Sequence, residues 1–213
     1  ATMRPSILPN LLAAADRNLN HSVGDIALFE VGPQYADDSP DGQATVAAGL
    51  RVGDTGPRNW SASSRPADAF DAKADALALL DAMGAPTGNL QVSMDAPDWY
   101  HPGRSGSLRL GPNVIAWFGE IHPAVLADLD IKAGAVGCEV FLDRVPLPKA
   151  KRGGHGKAML TPSPFQPVTR DFAFIVDRAV TAESLLRAAK GADKALITAV
   201  GLFDEYQGKG IAD

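Results

Sequence analysis

The chain has 213 residues, 46% hydrophobic and 21% charged, with a formal net charge of −5; this balance excludes a disordered polymer, and the length allows one large domain or two smaller ones. No apolar run approaches the roughly 20 residues that cross a bilayer, and no basic, apolar, small-residue signal opens the sequence, so a cytoplasmic protein is expected. The charge is uneven: residues 1–148 carry 10 Lys and Arg against 18 Asp and Glu, net −8, whereas residues 149–213 carry 10 against 7, net +3, a division that suits two modules with different partners, the second compatible with a polyanion.

In chain order, Ile7, Leu8, Leu11, Leu12, Ala15 and Leu19 recur at helical spacing and predict an amphipathic helix begun through Ser6 and Pro9. Residues 25–31 read as a strand ending at Gly32-Pro33, and residues 45–52 as a second. Phe70, Ala74, Leu77, Leu80 and Ala82 predict a helix over 69–83, with Asp68 as N-cap and Gly84 at the C-cap. Strands follow at 90–94, 107–110 and 114–120, the last two joined by Gly111-Pro112-Asn113, then a short helix over 124–129 and a strand over 137–143. Strands outnumber helices and mostly connect by short turns, which predicts an α+β fold built on an antiparallel sheet with flanking helices. Pro146-Leu-Pro-Lys-Ala-Lys-Arg-Gly-Gly-His-Gly-Lys157 disfavours regular structure and marks a basic linker, taken as residues 149–161 between a domain of 1–148 and one of 162–213. Beyond it a strand at 172–176, a helix at 182–189 capped by Thr181, and a strand at 195–203 make the βαβ half of a ferredoxin-like unit, which is expected to be incomplete at Asp213.

Residue chemistry is sparse. His101 and His122 each precede proline and lack the helical spacing or Cys neighbours of a zinc site, so a strand end followed by a turn is the favoured reading. A small hydrolase using His101, His122 and Glu120 is the rival enzyme reading, although no activated nucleophile accompanies them. His21 and His155 lie in loops. No phosphate loop, nucleophile elbow or dinucleotide fingerprint occurs, and Asp37, Asp38 and Asp41 fall in a solvated loop. The lone Cys138 lies in an apolar run without a cationic neighbour, as a buried structural thiol would.

Several strings, taken in order, resemble one family. Met3-Arg-Pro-Ser-Ile-Leu-Pro-Asn-Leu-Leu12 with Arg17-Asn-Leu-Asn20, Leu28-Phe-Glu-Val-Gly32, Phe70-Asp-Ala-Lys-Ala-Asp75, His101-Pro-Gly-Arg-Ser105, Phe118-Gly-Glu-Ile-His-Pro123 and Phe141-Leu-Asp143 are similar to the synthetase-like module of bacterial phenylalanine–tRNA ligase β subunits. Pro164-Phe-Gln-Pro-Val-Thr-Arg-Asp-Phe-Ala173 and Val200-Gly-Leu-Phe-Asp-Glu-Tyr-Gln-Gly208 resemble that family's ferredoxin-fold anticodon-binding domain. The resemblance implies a class II synthetase-like module without catalytic residues. Consistent with this, no arginine immediately precedes Phe29-Glu30, and no glycine-rich segment ending in Glu-Arg follows Phe141. It also implies that the proofreading and metal-bearing parts of the subunit lie before Ala1. The segment itself would hold no cofactor or metal. ATP and magnesium would serve the holoenzyme, and the partners would be an α subunit, in a heterotetramer of two α and two β chains, and tRNA(Phe), with no membrane.

Two sets of residues follow from the resemblance. Ile7, Leu8, Leu11, Leu12 and Leu19 would face a subunit or intramolecular interface, since the family's first motif builds the contact between synthetase modules, against the alternative of ordinary core packing. Lys149, Lys151, Arg152, Lys157, Arg187, Lys190 and Lys194 would track RNA phosphates, against the alternative of a solvated face. An assembly module with no RNA role is the other reading of the chain.

Overall fold

A computed structural model describes residues 3–56, 59–61, 63–146, 159–208 and 210. They form two units, Ala1–Lys149 and Ala150–Asp213. Helix α1 (Leu8–Asn20) leads into β1 (Ile26–Tyr35) and β2 (Gln43–Val52), then α2 (Ala69–Ala82), β3 (Gln91–Ser93), β4 (Tyr100–Leu110), β5 (Asn113–Ile121), α3 (Pro123–Asp128) and β6 (Ala135–Phe141). The six strands make one antiparallel sheet in the order β1-β2-β6-β5-β4-β3.

A strand covered on both faces must be apolar on both, and β6 is buried at all seven positions. Its Ala135 and Phe141 join the α1 side with Leu8, Leu11, Leu12, Ala15, Val46, Ala48, Leu50 and Val52. Its Val136, Cys138 and Val140 join the α2 side with Ala72, Ala76, Leu80, Leu108, Ile115 and Phe118. Gly137 lets the helix approach: a Cβ there would lie 3.1 Å from Leu8 Cδ2 and 3.0 Å from the Gly49 carbonyl. Helix α2 begins as expected, with the Asp68 carboxylate accepting from the Phe70 and Asp71 amides while Asp71 reaches back to the Asp68 amide.

The stripe expected at a subunit or intramolecular interface packs within this chain. Ile7, Leu8, Leu11 and Leu12 are at most 5% exposed within this chain alone, and Leu19 packs partly buried against the same cluster. A sheet face already fills the space these side chains face, so a partner meeting α1 would have to contact its other side.

Several expected bounds differ from those observed. Strand β1 runs through Gly32-Pro33 to Tyr35, because an edge strand tolerates a proline that cannot donate to a ladder. Strand β4 begins at Tyr100, seven residues before the expected start at Ser107, and contains His101 and Pro102. Residues 172–176 and 195–203 form no strand, and in the second unit the described residues hold only α4 (Ala182–Ala192), with Thr181 Oγ1 accepting from the Ser184 amide at 3.2 Å. The strands of a split βαβ unit do not adjoin, so each needs a third strand for its backbone groups, and none pairs with them among the described residues. Phe172, Phe174, Ile175, Leu196 and Phe203 are accordingly exposed, and no described residue of this unit is buried.

Candidate functional site

Within the first unit the polar chemistry gathers at two places. The first is Glu139, the only charged residue among the described ones that is fully buried. Its position on β6 turns it toward the α1 side, where its carboxylate accepts from Ser6 Oγ at 2.7 Å, Gln34 Nε2 at 2.6 Å, Trp99 Nε1 at 3.2 Å and Tyr100 Oη at 3.2 Å. These donors come from the approach to α1, from β1, from the loop before β4 and from β4 itself. The Trp99 ring meets Trp117 edge-on at 5.8 Å, and Trp117 meets Phe141 at 4.7 Å, so the carboxylate sits against an aromatic wall. All four donors are neutral, and the carboxylate ties four separate segments of the fold together. Sequence reading passed over Glu139. The available signal was a single carboxylate in the middle of an otherwise apolar strand.

The second place is the start of β4. Tyr100 pairs with Ile121 and Ser105 with Gly119, so His101, Pro102, Gly103 and Arg104 bulge out opposite the single residue Glu120. Three contacts hold the bulge: Ser105 Oγ to the His101 carbonyl at 2.6 Å, the Gly103 amide to His101 Nδ1 at 3.1 Å, and Arg104 Nε to Glu120 Oε2 at 2.6 Å. Gly119, with φ +150°, is required opposite, since a Cβ would fall 2.3 Å from Ser105 Cβ and 2.7 Å from the Arg104 carbonyl. The bulge brings His101 to His122, ring centroids 6.4 Å apart. His122 ends its strand as expected and caps α3, its Nδ1 accepting from the Ala124 amide at 3.1 Å. His101, expected to do likewise, sits inside a strand. Glu120, the third member of the hydrolase reading, is paired with Arg104 and is not aimed at either imidazole by any hydrogen bond. Among the described residues no three His, Cys, Asp or Glu side chains gather as a metal site.

Lys149, Lys151, Arg152 and Lys157 lie outside the described residues. Arg187 and Lys190 stand on α4 three residues apart, hence on one face, with Arg187 paired to Glu183, and Lys194 follows the helix; all three are exposed. Cys138 is buried against α2, where burial pushes its thiol up from the ordinary 9.0 to about 12. Burial, followed by the charge of Glu139, holds the Tyr100 hydroxyl well above its ordinary 10.0. Both groups keep their protons longer in the folded state than in the unfolded chain. The stability they contribute is therefore complete below the ordinary thiol value and falls as pH rises from about 9 toward about 12. Urea midpoints should drop across that range, and a disulfide reagent should modify Cys138 at neutral pH only when denaturant is present.

With the geometry in place, likeness to known proteins decides the family. Residues 1–142 match the family described as phenylalanyl tRNA synthetase beta chain CLM domain, and residues 163–213 match the ferredoxin-fold anticodon binding domain. The chain belongs to the phenylalanyl-tRNA synthetase β-chain family. It is 59% identical to the phenylalanine–tRNA ligase β subunit of Rhodospirillum rubrum over 206 residues, and 53% identical to that of Mesorhizobium japonicum over 211, in each case covering 97% of this chain. It spans 26% of the length of either relative. A solved pyrrolysyl-tRNA synthetase from Desulfitobacterium hafniense is 17% identical, with a TM-score of 0.47 over 66% of this chain and 47% of that one, too distant to carry a fold assignment.

On β1, Phe29 is 83% exposed while Glu30 is paired with Arg4 at 2.6 Å. Two arginines of the first unit are held by carboxylates of α2: Arg51 grips Asp75 through two bonds of 2.6 and 2.8 Å, and Arg65 grips Asp71 through two of 2.7 and 2.8 Å.

Proposed function

We propose that this chain is a non-catalytic part of a phenylalanine–tRNA ligase β subunit, with the first unit a class II synthetase-like scaffold and the second the opening half of a ferredoxin-like anticodon-binding domain. The observation that carries this reading is the order of the two family matches, one on each structural unit. The complete protein joins an α subunit as two α and two β chains in the cytoplasm, and it attaches phenylalanine to tRNA(Phe) with ATP and magnesium. In this reading adenylate chemistry belongs to the α subunit. The scaffold role is supported by the buried Glu139 clamp and by the pairing of Arg51 and Arg65 with carboxylates of α2, which leaves those guanidinium groups occupied.

The anticodon reading assigns the cations of the second unit to RNA phosphates. Lys149, Lys151, Arg152 and Lys157 belong to the linker sequence, and Arg187, Lys190 and Lys194 lie on or after α4. Each neutralised phosphate steepens the salt dependence of binding by close to one unit of slope on duplex-like nucleic acid. In the complete subunit, Lys190→Ala is expected to weaken tRNA binding modestly and to flatten that slope by about one unit. Binding that is unchanged in both affinity and slope would remove Lys190 from the interface. Retained assembly with the α subunit alongside loss of all salt-dependent tRNA binding in a variant lacking the second unit would separate the RNA role from the scaffold role.

A further inference from the structure

Strand β1 is an edge of the sheet, so alternate residues turn their backbone groups toward β2 and away from it. Just past the strand, the Ala36 amide donates to the Gly42 carbonyl across the hairpin. The Tyr35 amide instead donates outward to the Arg4 carbonyl at 3.0 Å, and the Pro33 carbonyl accepts from Arg4 Nε at 2.9 Å. The same alternation turns the amides and carbonyls of Val31, Phe29 and Ala27 outward. Among the described residues none hydrogen-bonds to them. The outer edge is thus closed from Pro33 to Tyr35 and open from Ala27 to Val31.

The open stretch lacks the devices that keep an edge from pairing, such as lysines, inward charges or a covering loop. Its one charged residue, Glu30, shares the α1 side with Leu28 and is held by Arg4 at 2.6 Å. The outward residues are all apolar, with Phe29 83% and Val31 54% exposed. Next to them on the same face β2 offers Gly49 and Ala47, so no bulky or charged side chain interrupts the strip.

Register selects the occupant. When two copies of one strand pair antiparallel about a two-fold axis, a single residue meets itself and its neighbours pair across it. Centring on Phe29 sets Ala27 opposite the second copy's Val31, and each such pair can exchange two backbone bonds, which uses every open outward group. Glu30 then falls opposite Leu28 and not opposite another carboxylate. Centring on Val31 would set Phe29 against Pro33, which has no N–H and whose carbonyl Arg4 already occupies. Centring on Ala27 would set Phe29 against Asp25, outside the strand.

We infer that the Ala27–Val31 edge of β1 pairs with the same edge of a second copy of this chain, an isologous antiparallel contact centred on Phe29 that joins the two sheets. This goes beyond the scaffold role and does not depend on it. So short a contact falls below the roughly 1,200 Å² of a stable interface, and a weak dimer with a dissociation constant between about 1 µM and 1 mM is expected.

Sedimentation equilibrium of the 213-residue chain, with amide hydrogen exchange followed across the same concentrations, tests it. The expected result is a monomer–dimer equilibrium in which the Ala27, Phe29 and Val31 amides gain protection with concentration, while those of residues 172–176 and 195–203 do not. Phe29→Lys, at a position too exposed to carry core packing, would set two ammonium groups opposite each other and should weaken the dimer at least about tenfold. Val31→Pro removes one outward N–H per chain and leaves the β2 ladder intact, as Pro33 already does, and should weaken it in the same sense. A chain that stays monomeric up to about 1 mM would overturn the contact. So would association unchanged in both variants, or protection that grows at 172–176 or 195–203 in place of β1.

Discussion

Replacing Glu139 with Leu is expected to destabilise the first unit by about 3–5 kcal/mol, enough to unfold much of a domain whose total stability is typically about 5–15 kcal/mol. The volume is nearly conserved, so the loss does not come from a cavity. It comes from the donors left behind: the hydroxyls of Ser6 and Tyr100, the Gln34 amide and the Trp99 indole N–H would all lose their acceptor inside the core. Ser6, Gln34 and Tyr100 would feel this most, being buried themselves. Glu139→Gln keeps one acceptor oxygen but turns an NH2 group toward existing donors, and a smaller loss of about 1–3 kcal/mol is expected. Urea unfolding followed by tryptophan fluorescence reads both, since Trp99 and Trp117 lie beside the carboxylate. A Leu variant within about 0.5 kcal/mol of the parent would show that the four contacts contribute nothing net.

The second large effect is expected at α1. Leu11 is 5% exposed and packs in the cluster that includes Val46, Leu50 and Phe141. Leu11→Glu should unfold the first unit outright, because it removes about 1.5–3 kcal/mol of apolar burial and places a carboxylate where no cation meets it. Leu12→Ala should cost about 2–5 kcal/mol with the fold retained. A Leu11→Glu chain that kept native circular dichroism and lost only its association with another subunit would reverse the assignment of this stripe to the core.

These outcomes bear on how much could be read from sequence. Helix α2 was legible because its start is a local event: Asp68 caps it and Asp71 answers three residues later. The apolar period of α1 was equally plain, but a period says only that a face is buried and not against what; the resemblance suggested a partner, and the sheet of the same chain supplied the contact. Strand β4 was cut short because His101-Pro-Gly-Arg104 breaks the alternation that marks a strand, and only the pairing with β5 shows it to be a bulge. The His101–His122 approach is likewise a product of register, since Tyr100 lies opposite Ile121 across 21 positions of sequence. Residues 172–176 and 195–203 have the composition of strands, yet composition does not supply the neighbour that a strand requires. Family membership was legible from ordered strings.

As proposed, this chain is a structural part of the ligase with no adenylate chemistry of its own. Phenylalanine-dependent exchange of pyrophosphate into ATP, measured on the pure 213-residue chain beside a holoenzyme control, tests it most directly. No exchange above background is predicted from the chain alone, because activation requires positioned positive charge on the phosphates of ATP. Exchange that depends on phenylalanine and tracks the purified chain would contradict the account.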